Sequence, residues 1–223
     1  MDIKLFFQAI IKFMLGVVMI ALLLFIPANT INYWNAWLFM GLLFIPMFFA
    51  GIIMMIKSPD LLRKRLNAKE KLNEQKQVVL VSGSMFLISF VIAGLNYRYN
   101  WIVLPDVVVM ISSIIFLISY ILYAEVLREN AYLSRIIEVQ ENQKVIDTGL
   151  YGIVRHPMYA ATIFLFLSMH LVLGSVISFI IFLIYPFVIA KRIKNEEEFL
   201  EENLEGYVEY KKKVKYKVIP FIW

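Results

Sequence analysis

The chain contains no cysteine. That excludes disulfides, a thiolate nucleophile, Cys-ligated zinc and palmitoylation. It has two histidines, His156 and His170, too few for a His-rich metal centre. Charge is also scarce, at 17% of residues against 61% hydrophobic, whereas a soluble domain carries about a quarter charged and about half apolar residues. The apolar excess comes in blocks, which points to membrane spans rather than to one large soluble core. No repeat of 20–50 residues and no low-complexity tract is visible. The first apolar run ends Ile26-Pro27-Ala28-Asn29, without a small-x-small cleavage site, so it reads as a retained helix and not a signal peptide.

Four blocks, residues 5–26, 34–56, 78–95 and 102–127, reach or approach the ~20 residues that span a bilayer. A fifth, residues 157–190, is interrupted by Gly174-Ser175. Each of its halves would rise about 25 Å at 1.5 Å per residue, which suits a helical hairpin. The expected fold is an all-α polytopic membrane protein with four transmembrane helices, a C-terminal membrane hairpin and a cytosolic amphipathic tail helix.

Basic residues order the topology. The formal charge of +5 could suggest nucleic acid, but in a membrane protein basic residues mark cytosolic loops. Lys4 and Lys12 lie near the N-terminus. Segment 57–77 holds Lys57, Arg63, Lys64, Arg65, Lys69, Lys71 and Lys76, and segment 128–156 holds Arg128, Arg135, Lys144 and Arg155. The end of the chain carries eight more, from Lys191 to Lys217. Only Arg98 falls on the other side, so a cytosolic N-terminus places 21 of the 22 basic residues in the cytosol. Trp34, Trp37, Tyr97, Tyr99 and Trp101 would form an aromatic belt by the outer turns. Those turns are short and chemically bare, so a site should open to the cytosol or the inner leaflet.

The polar stretch between the fourth span and the hairpin reads AEVLRENAYLSRIIEVQENQKVIDTGLYGIVRHPMY. Thr148-Gly149 is a turn signal. Pro157 suits the first position of a helix and holds His156 outside the helical region. His156 should therefore sit at a helix N-terminus, where free N–H groups favour an anion that would also feel Arg155. The plainer reading is a basic helix end that snorkels to headgroups. Beyond the hairpin, Arg192 and Glu196 share a helix face, as an ordinary surface ion pair or as the lining of a site. The tail, KKKVKYKVIPFIW, reads as an interfacial anchor with Phe221 and Trp223 at the headgroups.

Together these pieces resemble the isoprenylcysteine carboxyl methyltransferases and the related phospholipid N-methyltransferases. Their shared pattern is G-x-Y-x-x-x-R-H-P-x-Y-x-G, a membrane hairpin, R-x-x-x-E-E-x-x-L, and a tyrosine-rich tail closing near a proline. The matching residues are Gly149, Tyr151, Arg155-His156-Pro157, Tyr159, Arg192, Glu196-Glu197 and Leu200, then Gly206, Tyr210 and Pro220. The likeness runs from Arg128 to the end of the chain. It departs at Ala161, where the family has glycine, and at Gln143, where a histidine is common.

The resemblance implies S-adenosyl-L-methionine (SAM) as cofactor, held by Gln140, Val145, Ile146, Tyr151, Arg155, His156, Pro157, Tyr159, Arg192 and Glu196. His156 and the N–H groups after Pro157 would take the SAM carboxylate, and Glu196 the ammonium. Tyr151 and Tyr159 would face the adenine or the sulfonium. Arg128 would orient an acceptor carboxylate. The implied division is an N-terminal two-helix segment with a basic loop, 1–77, and a methyltransferase-like domain, 78–223, whose SAM site is formed by 128–223.

The expected activity is methyl transfer to a lipophilic or lipidated acceptor at the inner leaflet, most simply a carboxylate or thiol, in a prokaryotic cytoplasmic membrane. The expected partners are that acceptor and membrane lipids, with no metal and no nucleic acid. Three other readings stand beside it. One is a phospholipid or small-amine N-methyltransferase. Another is a sterol-reductase-like NADPH enzyme, which should lack the R-x-x-x-E-E pair. The last is a non-enzymatic membrane component or transporter; against an ion path, the spans hold few charges.

Overall fold

The computed structural model describes residues 3–66, 73–134 and 136–223, so Lys69, Lys71 and Arg135 lie outside it. It is all-helical over those residues. The helices are α1 (Ile3–Ala28), α2 (Trp34–Lys57), α3 (Pro59–Leu66), α4 (Asn73–Tyr99), α5 (Asp106–Glu129), α6 (Pro157–Val172), α7 (Val176–Phe182), α8 (Tyr185–Asn203) and α9 (Tyr207–Lys213). A 3₁₀ turn, Gly149–Gly152, precedes α6.

Five helical stretches are long and apolar enough to cross a membrane: α1, α2, most of α4, α5, and α7 continuing into α8. Large apolar side chains on them face outward, among them Ile26, Phe49, Ile118 and Phe187. That is the arrangement lipid requires, because only internally bonded helices or closed barrels satisfy the backbone there. The protein is a multi-pass membrane protein.

The hairpin differs from expectation in its second arm. α6 is a single helix of 16 residues, but the return arm breaks at Leu183-Ile184 into α7 and α8, with Pro186 in the first turn of α8. Proline lacks the N–H, and its ring collides with the carbonyl four residues back, here that of Phe182 at the end of α7. The span expected from residue 102 begins instead at Asp106, after Pro105, for the same reason. The expected tail helix is present and short. α9 has seven residues, and the chain after it folds back on the protein.

The three bare turns meet at one end. The Tyr33 hydroxyl donates to the Leu173 carbonyl, Asn35 Nδ2 to Val172 O at 3.0 Å and Asn96 Nδ2 to Gly174 O at 3.2 Å. These side chains satisfy carbonyls left over at the C-terminus of α6. Gly174 takes the left-handed backbone (φ +72°) that ends such a helix, and Ser175 Oγ accepts from Ser178 N to start α7.

α6 packs along α5, and α1 along α4. Around Phe39, Phe90, Phe116 and Phe182 the core is aromatic and fully or nearly buried. Ala161 is completely buried in α6 and is absent from the cavity described below, so its extra methyl sits in helix packing. All the polar loops gather at the opposite end from the bare turns.

Candidate active site

At the polar end, α8 carries Arg192, Glu196 and Leu200, each four residues from the next, with Leu204 as its C-cap. A four-residue step keeps side chains on one helix face, and all four line a cavity of about 110 Å³. The other walls are the irregular chain 130–146, Tyr151 of the 3₁₀ turn, the start of α6, and α9.

The polar wall is held by one hydroxyl. Tyr159 donates to Glu196 Oε2 at 2.6 Å, while Arg192 Nε donates to the same Tyr159 oxygen at 2.9 Å. Arg192 and Glu196 are thus both bonded to Tyr159, a buried residue of α6, and line a cavity instead of an open surface. The apolar wall is Val145, Leu200, Leu204, Tyr207 and Tyr210. Tyr207 is 4% exposed, and its hydroxyl is buried without a partner among the described residues. Burial first, then the charges of Glu197 and Glu196, push that hydroxyl well above the ordinary tyrosine range, so it keeps its proton.

The N-terminus of α6 is set by the tail. Pro157 is its first residue and His156 its N-cap. Arg155 N and His156 N donate to Tyr216 O and Lys217 O at 2.9 and 2.8 Å. Below them Glu197 is 3% exposed. Its Oε1 accepts from Arg155 Nε at 2.7 Å and lies 3.2 Å from His156 Nε2, while Lys217 Nζ lies 3.0 Å from Oε2. Arg155 Nη1 also donates to Val214 O at 2.6 Å and Lys215 O at 2.9 Å. Arg155 therefore clamps α8 to the tail, although part of it reaches the cavity.

The 3₁₀ turn is positioned by the last residues of α5. Both Glu129 oxygens accept from Leu150 N, at 3.2 and 2.9 Å, and Asn130 Nδ2 donates to the Tyr151 hydroxyl at 3.0 Å. Gly149 has φ +54°, and a Cβ there would stand 1.7 Å from Glu129 Oε1. From the tail, the Tyr210 hydroxyl donates to Tyr151 O at 2.8 Å.

Of the residues singled out from sequence, the cavity brings together Val145, Ile146, Tyr151, Arg155, His156, Tyr159, Arg192 and Glu196. Pro157 lies behind the wall as the start of α6. Gln140 is also behind it, donating to Tyr132 O at 2.7 Å and accepting from Lys64, while Gln143 lines the cavity in its place. Arg128 stands apart, with its side chain 74% exposed and paired to Glu125. Sequence reasoning missed Glu129, Asn130, Glu197 and Tyr207 as site-building residues. The four-residue stripe from Arg192 was a usable signal for Leu200 and Leu204. For Glu197 the only sequence signal is its place in the Glu196-Glu197 pair.

The model of the isoprenylcysteine carboxyl methyltransferase family matches residues 109–202. That segment of the chain is similar to the family's domain. The matched segment runs from α5 to the end of α8, and so includes Tyr151, Arg155, His156, Tyr159, Arg192, Glu196 and Glu197. The match supports a membrane methyltransferase of the isoprenylcysteine carboxyl type. The matched segment does not include α3 or α9, although α9 supplies Tyr207 and Tyr210 to the cavity. A search of curated protein sequences finds no match. Among the described residues, no group of His, Asp or Glu could hold a metal ion.

Proposed function

We propose that the cavity binds SAM and that its methyl group passes to a carboxylate on a lipophilic acceptor reaching the site from the cytosolic leaflet. The observation that carries this reading is the pairing of opposed charges, Arg192 and Glu196, with an apolar aromatic wall in one enclosure. An amino-acid zwitterion joined to an adenine nucleoside has that chemistry. The Tyr207 hydroxyl, buried without a partner among the described residues, is a donor that a ligand in the adjoining cavity would satisfy, and buried polar groups are nearly always satisfied.

Glu196 is assigned to the ammonium, with Tyr159 fixing its rotamer. The α6 N-terminus at His156 and Pro157, together with Arg192, is assigned to the carboxylate. Tyr151, Val145, Ile146 and Tyr207 enclose the nucleoside, and Gln140 and Arg155 hold the surrounding chain in place. When bound, SAM supplies an electrophilic methyl: the S–C bond breaks as the acceptor oxygen–carbon bond forms, the electron pair stays on sulfur, and ester and S-adenosylhomocysteine result. A carboxylate is already ionised near neutral pH and needs no general base, so the residues serve chiefly to position.

Arg128 is assigned to the approach of the acceptor. Ile114, Ile118 and Ile121 form an outward stripe on α5, and helical spacing carries that stripe on to Glu125 and Arg128. A lipid tail lying there would bring its anionic head to Arg128.

Calorimetry on purified protein in detergent tests the cofactor. SAM and S-adenosylhomocysteine should bind stoichiometrically and NADPH should not; NADPH binding without SAM binding would sink the reading. The orientation follows the positive-inside bias. It is checked with single cysteines at Asn67, a residue outside the described ones, and at Arg98. An impermeant reagent added outside should label only the latter.

A further inference from the structure

Helix α3 brings another cation to the site from outside the family-matched segment. Its Leu61 and Leu62 are buried, which leaves the basic residues to reach across the end of the bundle. Lys64 donates to Gln140 Oε1. Arg65 is half-buried. Its Nη1 lies 3.4 Å from Ser134 O, its Nη2 donates to the Tyr123 hydroxyl, and its guanidinium carbon is 5.6 Å from the Tyr123 ring centre.

Ser134 is itself a cavity-lining residue. The Arg65 charge also reaches Tyr151 on the facing wall, where it opposes the rise that burial imposes on that hydroxyl. Neighbouring Arg63 has a carboxylate, Asp60, at 2.6 Å. Arg65 has none within ion-pairing distance among the described residues, only a carbonyl, a hydroxyl and a ring. A guanidinium that is partly desolvated and held by neutral groups keeps its field for an anion that can complete it. Its planar fork suits a carboxylate.

We infer that Arg65 binds the carboxylate of the methyl acceptor and sets the preference for an anionic acceptor over a neutral one. This rests on the transferase reading above and places the selectivity in an N-terminal element. With Arg128 exposed at the approach and Arg65 beside the cavity, the acceptor head passes from a solvated cation to a half-buried one. A guanidinium that engages one carboxylate oxygen leaves the other free to attack.

The test separates acceptor binding from cofactor binding. Purified full-length protein in detergent is titrated, without SAM, with N-acetyl-S-farnesylcysteine and with its methyl ester. The native chain should prefer the free acid, and Arg65→Gln should cut that preference at least about tenfold, as loss of a charge-assisted hydrogen bond does. Arg65→Lys should restore part of it and Arg63→Gln should leave it intact. SAM affinity should be the same in native and Arg65→Gln protein. The inference is overturned if the native chain does not distinguish acid from ester, or if Arg65→Gln keeps the native preference. Equal loss of acid and ester binding overturns it as well, because that would mark Arg65 as structural. If no form binds SAM while the acid preference still depends on Arg65, the cofactor assignment falls and the anion site stands.

Discussion

Glu196 and Glu197 are chain neighbours with different duties: the first accepts from Tyr159 on the cavity wall at 2.6 Å, and the second is buried 2.7 Å from Arg155. Adjacent residues on an α-helix point about 100° apart, so one turn of α8 serves both the cavity wall and the docking of the tail. Glu198, the next residue, is exposed and faces Lys194. The three glutamates form a built-in series for mutation.

Glu196→Gln should lower SAM affinity roughly 10- to 150-fold, the worth of a charge-assisted hydrogen bond. Glu198→Gln should change it little, as exposed charges do. Equal SAM binding by the two variants, measured by calorimetry, would remove Glu196 from the site.

Glu197→Gln should act on stability. Removing one partner of a buried ion pair costs about 3–5 kcal/mol, because the remaining charge is left uncompensated. The variant should unfold at lower temperature in detergent, and limited proteolysis should cut the tail after α9 sooner. A variant as stable as Glu198→Gln would show that the tail is held by its backbone bonds alone.

Gly149→Ala should disturb the cofactor wall through the 3₁₀ turn. The left-handed backbone costs a non-glycine residue about 1–3 kcal/mol, and the new Cβ displaces the Glu129 carboxylate from Leu150 N. SAM affinity should fall because Tyr151 moves. Adding Glu129→Ala relieves the collision, so the double variant should lose less than the sum of the single ones. Strict additivity would show that the collision is not what matters.

Arg128→Ala should keep SAM affinity and lose turnover on a carboxylate acceptor, mainly through KM. The residue is solvent-exposed, so its field is screened within about 8–10 Å at ordinary ionic strength. The deficit should fade as salt rises. A deficit that salt does not change would place Arg128 in direct contact with the acceptor.

Much of the architecture was legible in the sequence because the bilayer demands long apolar helices and leaves charge nowhere but the loops. Residue order alone marked α1, α2, α4, α5 and the Gly174 turn, and also the Pro157 start that sets His156 at an N-terminus. Local chemistry carried those readings: chain length, proline geometry and a left-handed glycine. The grouping of Tyr151, Tyr159, Arg192 and Glu196 came from the family resemblance and not from local chemistry, since Tyr159 and Glu196 are 37 residues apart. The break before Pro186 was also local and was overlooked inside an apolar run.

What only the tertiary structure decided are relations between segments far apart in sequence. Glu197 and Arg155 are 42 residues apart, and Arg65 and Ser134 are 69 apart. No periodicity links them; they meet because α6, α8 and the tail pack at one end of the bundle and α3 folds across it. A charged side chain shows in sequence as a charge. Whether it is solvated like Arg128, clamped like Arg155 or half-buried beside a hydroxyl and a ring like Arg65 depends on which surfaces exclude water around it, and that is set only when the helices pack.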